Sequence, residues 1–266
     1  FPGAKAQYEK LRIGLPAKAS HIINCENCTG EQLSHDKNCT ECFSLHNSEE
    51  CRYVIRGDRD RFCYDVNFTD GTELAYNSMS CDGNYNVIGA NLVWYTKNSS
   101  YVTNCFSSND LLGCVGMKRG QYCILNKQYS REEYELLKEK IILKMKKDGE
   151  WGNYYPMEFS PFAYNETLAQ EYFPLSREEV LARGWKWQEE ATGTRFKLIP
   201  QELSFYEKMG LLAPLLHPFQ RHQDRMQLAT KFRLYDRRCA KCQMAMKSSY
   251  SPERPEIVYC EKCYLK

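Results

Sequence analysis

The chain has 266 residues, 42% of them hydrophobic and 26% charged, with 36 basic against 34 acidic side chains and a formal charge of +2. That length fits one large domain or two ordinary ones, and the composition excludes a disordered chain. The charge balance gives no electrostatic case for wholesale nucleic-acid or membrane-surface binding, and no apolar run approaches the ~18 residues that a bilayer span needs.

Fourteen cysteines are many for an intracellular chain but too few for a disulfide scaffold. Disulfide stapling suits short secreted domains, and a chain this long can build a core without it, so a reducing, cytoplasmic setting is expected. The five Asn-x-Ser/Thr sites (Asn27, Asn38, Asn67, Asn98 and Asn165) read as chance in segments rich in Asn and Ser. No basic-then-apolar leader is present, and the opening FPGAKAQYEK reads as the interior of a longer protein.

Residues 1–128 carry ten cysteines in short cassettes, where a polar run meets Cys beside an apolar or aromatic residue: ECFSL, RFCYDV, TNCFSS, LLGCVGM and QYCIL. Cys42 and Cys51 are nine apart, as are Cys105, Cys114 and Cys123. A fixed period of β-prone stretches with Asn/Ser/Gly corners predicts a β-solenoid, whose tight interior suits a small buried residue such as Cys. An antiparallel β-sandwich with turns at similar intervals is the competing reading. Within this region Cys25, Cys28, Cys39 and Cys42 form two matched pairs. They read either as a zinc knuckle, with His35 as a substitute ligand, or as the first coil of the repeat. The run GDRDRFCYD, with Asp58, Asp60 and Asp65 among Arg56, Arg59 and Arg61, reads as a solvated, self-paired loop.

Residues 129–230 change character to helices. Ser130 followed by Glu133 is a capping box opening a helix with apolar Tyr134, Leu137, Ile141 and Met145 on one face, and Gly149 sits where a C-terminal cap belongs. Ser176 with Glu179 and Gly184 repeats the device, and Pro200 with Gly210 brackets another helix. His217 and His222 are five residues apart, which turns their side chains about 140° from each other on a helix and gives no shared face.

Residues 231–266 hold the strongest motif. Cys239/Cys242 and Cys260/Cys263 are two Cys-x-x-Cys pairs seventeen residues apart. Zinc asks for four soft ligands at tetrahedral corners, and two such turns on a hairpin supply them. The segment between them reads as that hairpin: alternating residues, a Ser-Pro-Glu-Arg-Pro turn, then the strand Ile257, Val258 and Tyr259. Just upstream, Arg221, Arg225, Lys231, Arg233, Arg237 and Arg238 with Phe232 and Tyr235 form a local basic and aromatic stretch. It could grip phosphate and stack bases.

The run GQYCILNKQYSREEYELL, then WGNYYPMEFSPFAYNETLAQEYFPLSREEVLARGWKW, then RRCAKC…YSPERPEIVYCEKCY resembles uncharacterised Cys-rich, zinc-ribbon-bearing proteins of candidate phyla radiation bacteria. The resemblance implies zinc at Cys239, Cys242, Cys260 and Cys263 and no established activity. It also implies a further Cys-x-x-Cys where His217 and Gln220 stand. The expected fold class is α+β: a Cys-rich β-solenoid-like domain, a helical segment and a C-terminal zinc ribbon. The expected role is a non-catalytic zinc-binding scaffold that recognises a protein partner through its repeat surface, off the membrane. A nucleic-acid-associated ribbon protein using 221–238 is the alternative, and an enzyme with a Cys nucleophile comes last.

Overall fold

The computed structural model describes residues 2–189 and 197–266. It has two compact units, Phe1–Tyr155 with Phe232–Lys266, and Pro156–Lys231. The α+β architecture expected from the sequence is present: a β-solenoid of about nine turns, helices after it, and a C-terminal cysteine cluster.

Helix α1 (Pro2–Gly14) and strand β1 (Pro16–Lys18) precede the solenoid. Its parallel strands are β2 (Ile22–Ile23), β3 (Gly30–Ser34), β4 (Cys42–His46), β5 (Arg52–Asp58), β6 (Tyr64–Asp70), β7 (Glu73–Asp82), β8 (Tyr85–Ile88), β9 (Asn91–Trp94), β10 (Lys97–Ser100), β11 (Asn109–Leu112) and β12 (Gln121–Ile124). The antiparallel β13 (Lys127–Gln128) closes the last coil.

The register gives the coil length. Leu33 pairs with Leu45, Leu45 with Gly57, Gly57 with Thr69, Thr69 with Cys81 and Cys81 with Val93, each twelve residues on. The nine-residue rhythm of the cysteines is thus three sides of a twelve-residue coil with four sides. Every third residue points inward: Leu33, Asp36, Cys39 and Cys42 are buried, then Leu45, Ser48, Cys51 and Val54. The chain turns each corner through a left-handed residue, as at His35, Asn38, Glu41, Ser44, Asn47, Glu50 and Tyr53, with φ between 52° and 60°. Each such residue costs about 1–2 kcal/mol, so the interior must return that energy.

It does so through hydrogen bonds between coils. Lys37 N donates to Ser48 O and Thr40 N to Cys51 O in the next coil, while Glu50 N and Tyr53 N donate back to Lys37 O and Thr40 O. One inward column is polar. Ser48 N donates to Asp36 Oδ1, Asp60 N to Ser48 Oγ, Thr72 N to Asp60 Oδ1, and further along Thr96 N to Asn84 Oδ1 and Gly120 N to Ser108 Oγ. Each of these five inward amides is satisfied by the side chain one coil earlier, as buried polar groups require.

Cysteine serves the same end from the donor side. The Cys51 thiol faces Glu49 O and Asp60 O, and the Cys105 thiol faces Thr103 O and Cys114 O. A thiol is small, apolar enough for the core, and able to reach the carbonyls two residues before and nine residues after it.

Helix α2 (Arg131–Lys147) starts at the capping box of Ser130 and Glu133 and ends before Gly149 at φ 73°. Its Tyr134 is fully buried against Leu112 and Ile124 on one outer side of the solenoid. In the second unit lie α3 (Leu168–Tyr172), α4 (Arg177–Ala182), α5 (Pro200–Lys208) and α6 (Pro218–Met226). There Ser176 and Glu179 form the second capping box, Tyr164 stacks on Trp185 at 5.5 Å, and His222 Nε2 meets Glu171 Oε1 at 2.8 Å. Among the described residues no helix is long and apolar enough to cross a membrane.

Candidate metal centre

Strands β14 (Tyr235–Arg238) and β15 (Ala245–Ser248) form an antiparallel hairpin with Arg238 opposite Ala245. Cys239 and Cys242 occupy its loop. Cys239 N donates to Met244 O, Gln243 N donates to Cys239 O, and Gln243 turns the chain at φ 62°. Strand β16 (Ile257–Tyr259) runs into Cys260, which begins the short helix α7 (Glu261–Tyr264) carrying Cys263. Ala240 N donates to Val258 O at 2.9 Å and Cys260 N donates to Cys239 Sγ at 3.3 Å, which brings the two knuckles face to face.

The four Sγ atoms of Cys239, Cys242, Cys260 and Cys263 lie within 4.8 Å of one another, and Cys242 Sγ is 3.8 Å from Cys260 Sγ. Cys239 and Cys260 are buried, Cys263 is half-buried and Cys242 is exposed. Burial works against ionisation of Cys239. Backbone N–H groups of Cys242, Cys260 and Lys241 outweigh it and bring the thiol down to about 6. Hydrogen bonding with the Cys242 thiol, then burial, pushes Cys263 up to about 12. Four convergent thiols with one already favoured as thiolate can hold a single metal ion.

Strand β1 lies parallel to β16, with Pro16, Ala17 and Lys18 opposite Ile257, Val258 and Tyr259. Glu256, almost fully buried, accepts from Arg254 at 2.7 Å and from Arg12 at 2.5 Å. The Arg254 hydrogen bond, helped by that from Arg12 against the cost of burial, holds the Glu256 carboxyl down at about 2. This clasp joins residues 244 apart in the chain, and no local pattern in the sequence announces it.

The first cysteine set is arranged differently. Cys39 and Cys42 are buried in the solenoid, their thiols facing Lys37 O and Ser48 O, and Thr40 O and Cys51 O. Hydrogen bonding with the Cys39 thiol and burial push the Cys42 thiol up. Cys25 and Cys28 are half-buried in the first coil, where Cys25 Sγ accepts from Asp36 N and the Cys28 thiol faces Asp36 O. Among the described residues the terminal quartet is the one group of Cys, His, Asp or Glu whose ligand atoms gather in this way. His35 sits on the outer surface with Nε2 3.2 Å from Asn24 Nδ2.

The basic stretch divides between the two units. Arg221 and Arg225 lie on α6, and Lys231 donates to Glu171 O. In the other unit, the Arg233 guanidinium stands 5.3 Å over the Tyr235 ring, Arg237 donates to Ser251 O and Arg238 to Gln243 O.

No family model matches the chain, and no curated protein does. Among solved structures, a protein described as an acetyltransferase from Bacillus cereus is 13% identical with a TM-score of 0.15, covering 51% of this chain and 88% of its own. A hexapeptide transferase family protein from Anaplasma phagocytophilum is 8% identical with a TM-score of 0.14, covering 48% of this chain and 92% of its own. Likeness at this level supports no shared function.

Proposed function

We propose that the protein is a zinc-stabilised scaffold of a reducing cytoplasm, whose solenoid faces bind a protein partner without a chemical step of their own. Zinc is favoured because a tetrahedral tetrathiolate with Zn–S of about 2.3 Å has Sγ atoms about 3.8 Å apart, and Cys242 and Cys260 stand at that separation. The observation that carries partner binding is a pair of exposed rings in register, with further exposed apolar side chains around them. Tyr64 pairs with Tyr76, both 42% exposed, and Phe62, Leu74 and Tyr85 are exposed in the neighbouring positions. Rigid aromatic anchors lose little entropy on binding, and solenoids present such faces over several coils.

The Arg233–Tyr235 pair favours one second reading, a ribbon that touches nucleic acid. Zinc per chain is measured on purified protein; a partner is recovered by co-purification, and the pair is then reconstituted from pure components. A Tyr64→Ala/Tyr76→Ala variant that still binds that partner would remove the scaffold reading. Binding to RNA or DNA that falls steeply with salt and vanishes in Arg233→Ala would put the ribbon reading in its place.

A further inference from the structure

The metal ligands bracket the strand that closes the N-terminal end of the solenoid. Cys260 follows Tyr259 directly, and Ala240, one residue after Cys239, is hydrogen-bonded to Val258. Tyr259 O in turn accepts from Ala19 N at 2.9 Å, Ser248 Oγ donates to Ala19 O at 2.7 Å, and Lys18 Nζ meets Glu261 Oε1 at 2.7 Å. Two residues later the first coil begins, with His21 O accepting from Leu33 N and Ile23 O from His35 N. Hydrogen bonds therefore run from the thiol knuckles to Ala19, and two residues of chain carry the connection on to the first coil.

That coil is the weakest by construction. Strand β2 has two residues and pairs only with β3. Its register is eleven residues, Ile22 opposite Leu33, where the later coils keep twelve. The slip is absorbed near Gly30, where a methyl group would lie 1.9 Å from Cys42 O. A short edge strand with a neighbour on one side opens at a small fraction of the global unfolding energy unless something holds it. Here the ribbon strand β16 holds it through β1.

We propose that metal occupancy at Cys239, Cys242, Cys260 and Cys263 decides whether the N-terminal end of the solenoid is closed. Loss of the ion opens the first coil while the later coils stay folded. Without the ion the two knuckles lose their common anchor, β16 loses its fixed place beside Ala240, and the pairing with β1 weakens with it. The consequence is graded along the chain: Leu33 and His35 respond, whereas Thr103, bonded to Cys114 O, and Asn109, bonded to Gly120 O, do not. This latch rests on the metal reading above.

The test is amide hydrogen exchange on the full chain, loaded with Zn²⁺ and then stripped with a chelator in reducing buffer. Stripping is expected to speed exchange at Leu33 and His35 at least tenfold and to leave Thr103 and Asn109 unchanged. A Lys18→Ala/Ser248→Ala variant touches no ligand. It should keep one zinc per chain and show the fast exchange at Leu33 and His35 with zinc present. A chain that takes up no zinc sinks the metal reading. A chain that binds zinc but keeps first-coil protection after stripping, or in the double variant, sinks the latch alone. Exchange rising equally in all coils would also overturn it, since the ion would then support the whole fold.

Discussion

Gly57 and Asp60 share one space inside the solenoid: a methyl group on Gly57 would lie 2.3 Å from Asp60 Oδ2. The carboxylate fills the room that the glycine leaves and accepts from Thr69 Oγ1 at 2.5 Å and Thr72 N at 3.0 Å. Gly57→Ala must displace both that carboxylate and Leu45, whose Cδ1 would be at 2.7 Å. Overpacking of this kind costs about 1–3 kcal/mol. Urea unfolding of the variant should show the loss with an unchanged m-value, and a midpoint equal to that of the parent would refute the shared-space account.

The same carboxylate sets a pH dependence. Burial, only partly offset by the donors Thr69 and Thr72, raises Asp60 to about 6. The folded value lies above the unfolded one of about 3.9, so this group's stabilising contribution is full below about pH 4 and is lost as pH rises through about 6. Twenty-four residues on, in the same column, Asn84 accepts from Thr96 N and donates to Val93 O without carrying charge. Asp60→Asn should therefore stabilise the protein above pH 6, by about 3 kcal/mol, and change little at pH 4. Stability curves of the two proteins that stay parallel from pH 4 to 8 would remove Asp60 as the source.

What could be read in the sequence was local. The Ser130/Glu133 and Ser176/Glu179 capping boxes sit within four residues of chain and form as expected. The Ile257–Tyr259 strand and the gathered quartet follow from the spacing of two tight turns. The solenoid class was visible through its cysteines, but the coil length was not. Each column accepts whatever fits: Leu33, Leu45, Gly57, Thr69, Cys81 and Val93 share one column, so no single residue type repeats every twelve positions. The nine-residue spacing stood out because inward positions recur every three residues, and Cys42 with Cys51 and Cys105 with Cys114 and Cys123 occupy inward positions three sides apart. The Asn corners expected from the sequence are present. Asn24, Asn27, Asn38, Asn47, Asn77, Asn86, Asn98 and Asn104 all occupy left-handed corners, the conformation that Asn tolerates better than most residues. The clasp of Arg12 on Glu256 had no local signal at all, since it depends on how two distant segments meet.

Arg237 gives a prediction that separates structure from recognition. Its Nη1 donates to Ser251 O at 3.0 Å and so ties β14 to the turn before β16. Arg237→Ala should lower stability by about 1 kcal/mol, the usual worth of one hydrogen bond from a charged donor that is partly exposed. Arg238, exposed and bonded only locally to Gln243 O, should cost less. Thermal melts of both variants decide the matter. A larger effect at Arg238 than at Arg237 would contradict the tie.

The remaining thiols test whether the solenoid interior is structural or reactive. Cys105 and Cys114 are fully buried and Cys123 nearly so. Burial pushes Cys105 and Cys114 up, with backbone donors giving only partial relief, so both stay protonated at neutral pH and resist alkylation. Iodoacetamide should leave all three unmodified in the folded, metal-loaded protein and label them after unfolding, as read by peptide mass spectrometry. Cys114 also faces Leu112 O and Cys123 O and accepts from Asn126 N. Cys114→Ala removes every one of these contacts and should cost about 1–3 kcal/mol. Cys114→Ser should cost less, because Ser78, three coils earlier in the same column, makes the equivalent bonds to Tyr76 O and from Ala90 N. Serine and alanine variants of equal stability would show that the thiol acts as a space filler alone, and rapid labelling of Cys123 in the folded state would mark it as a reactive group instead.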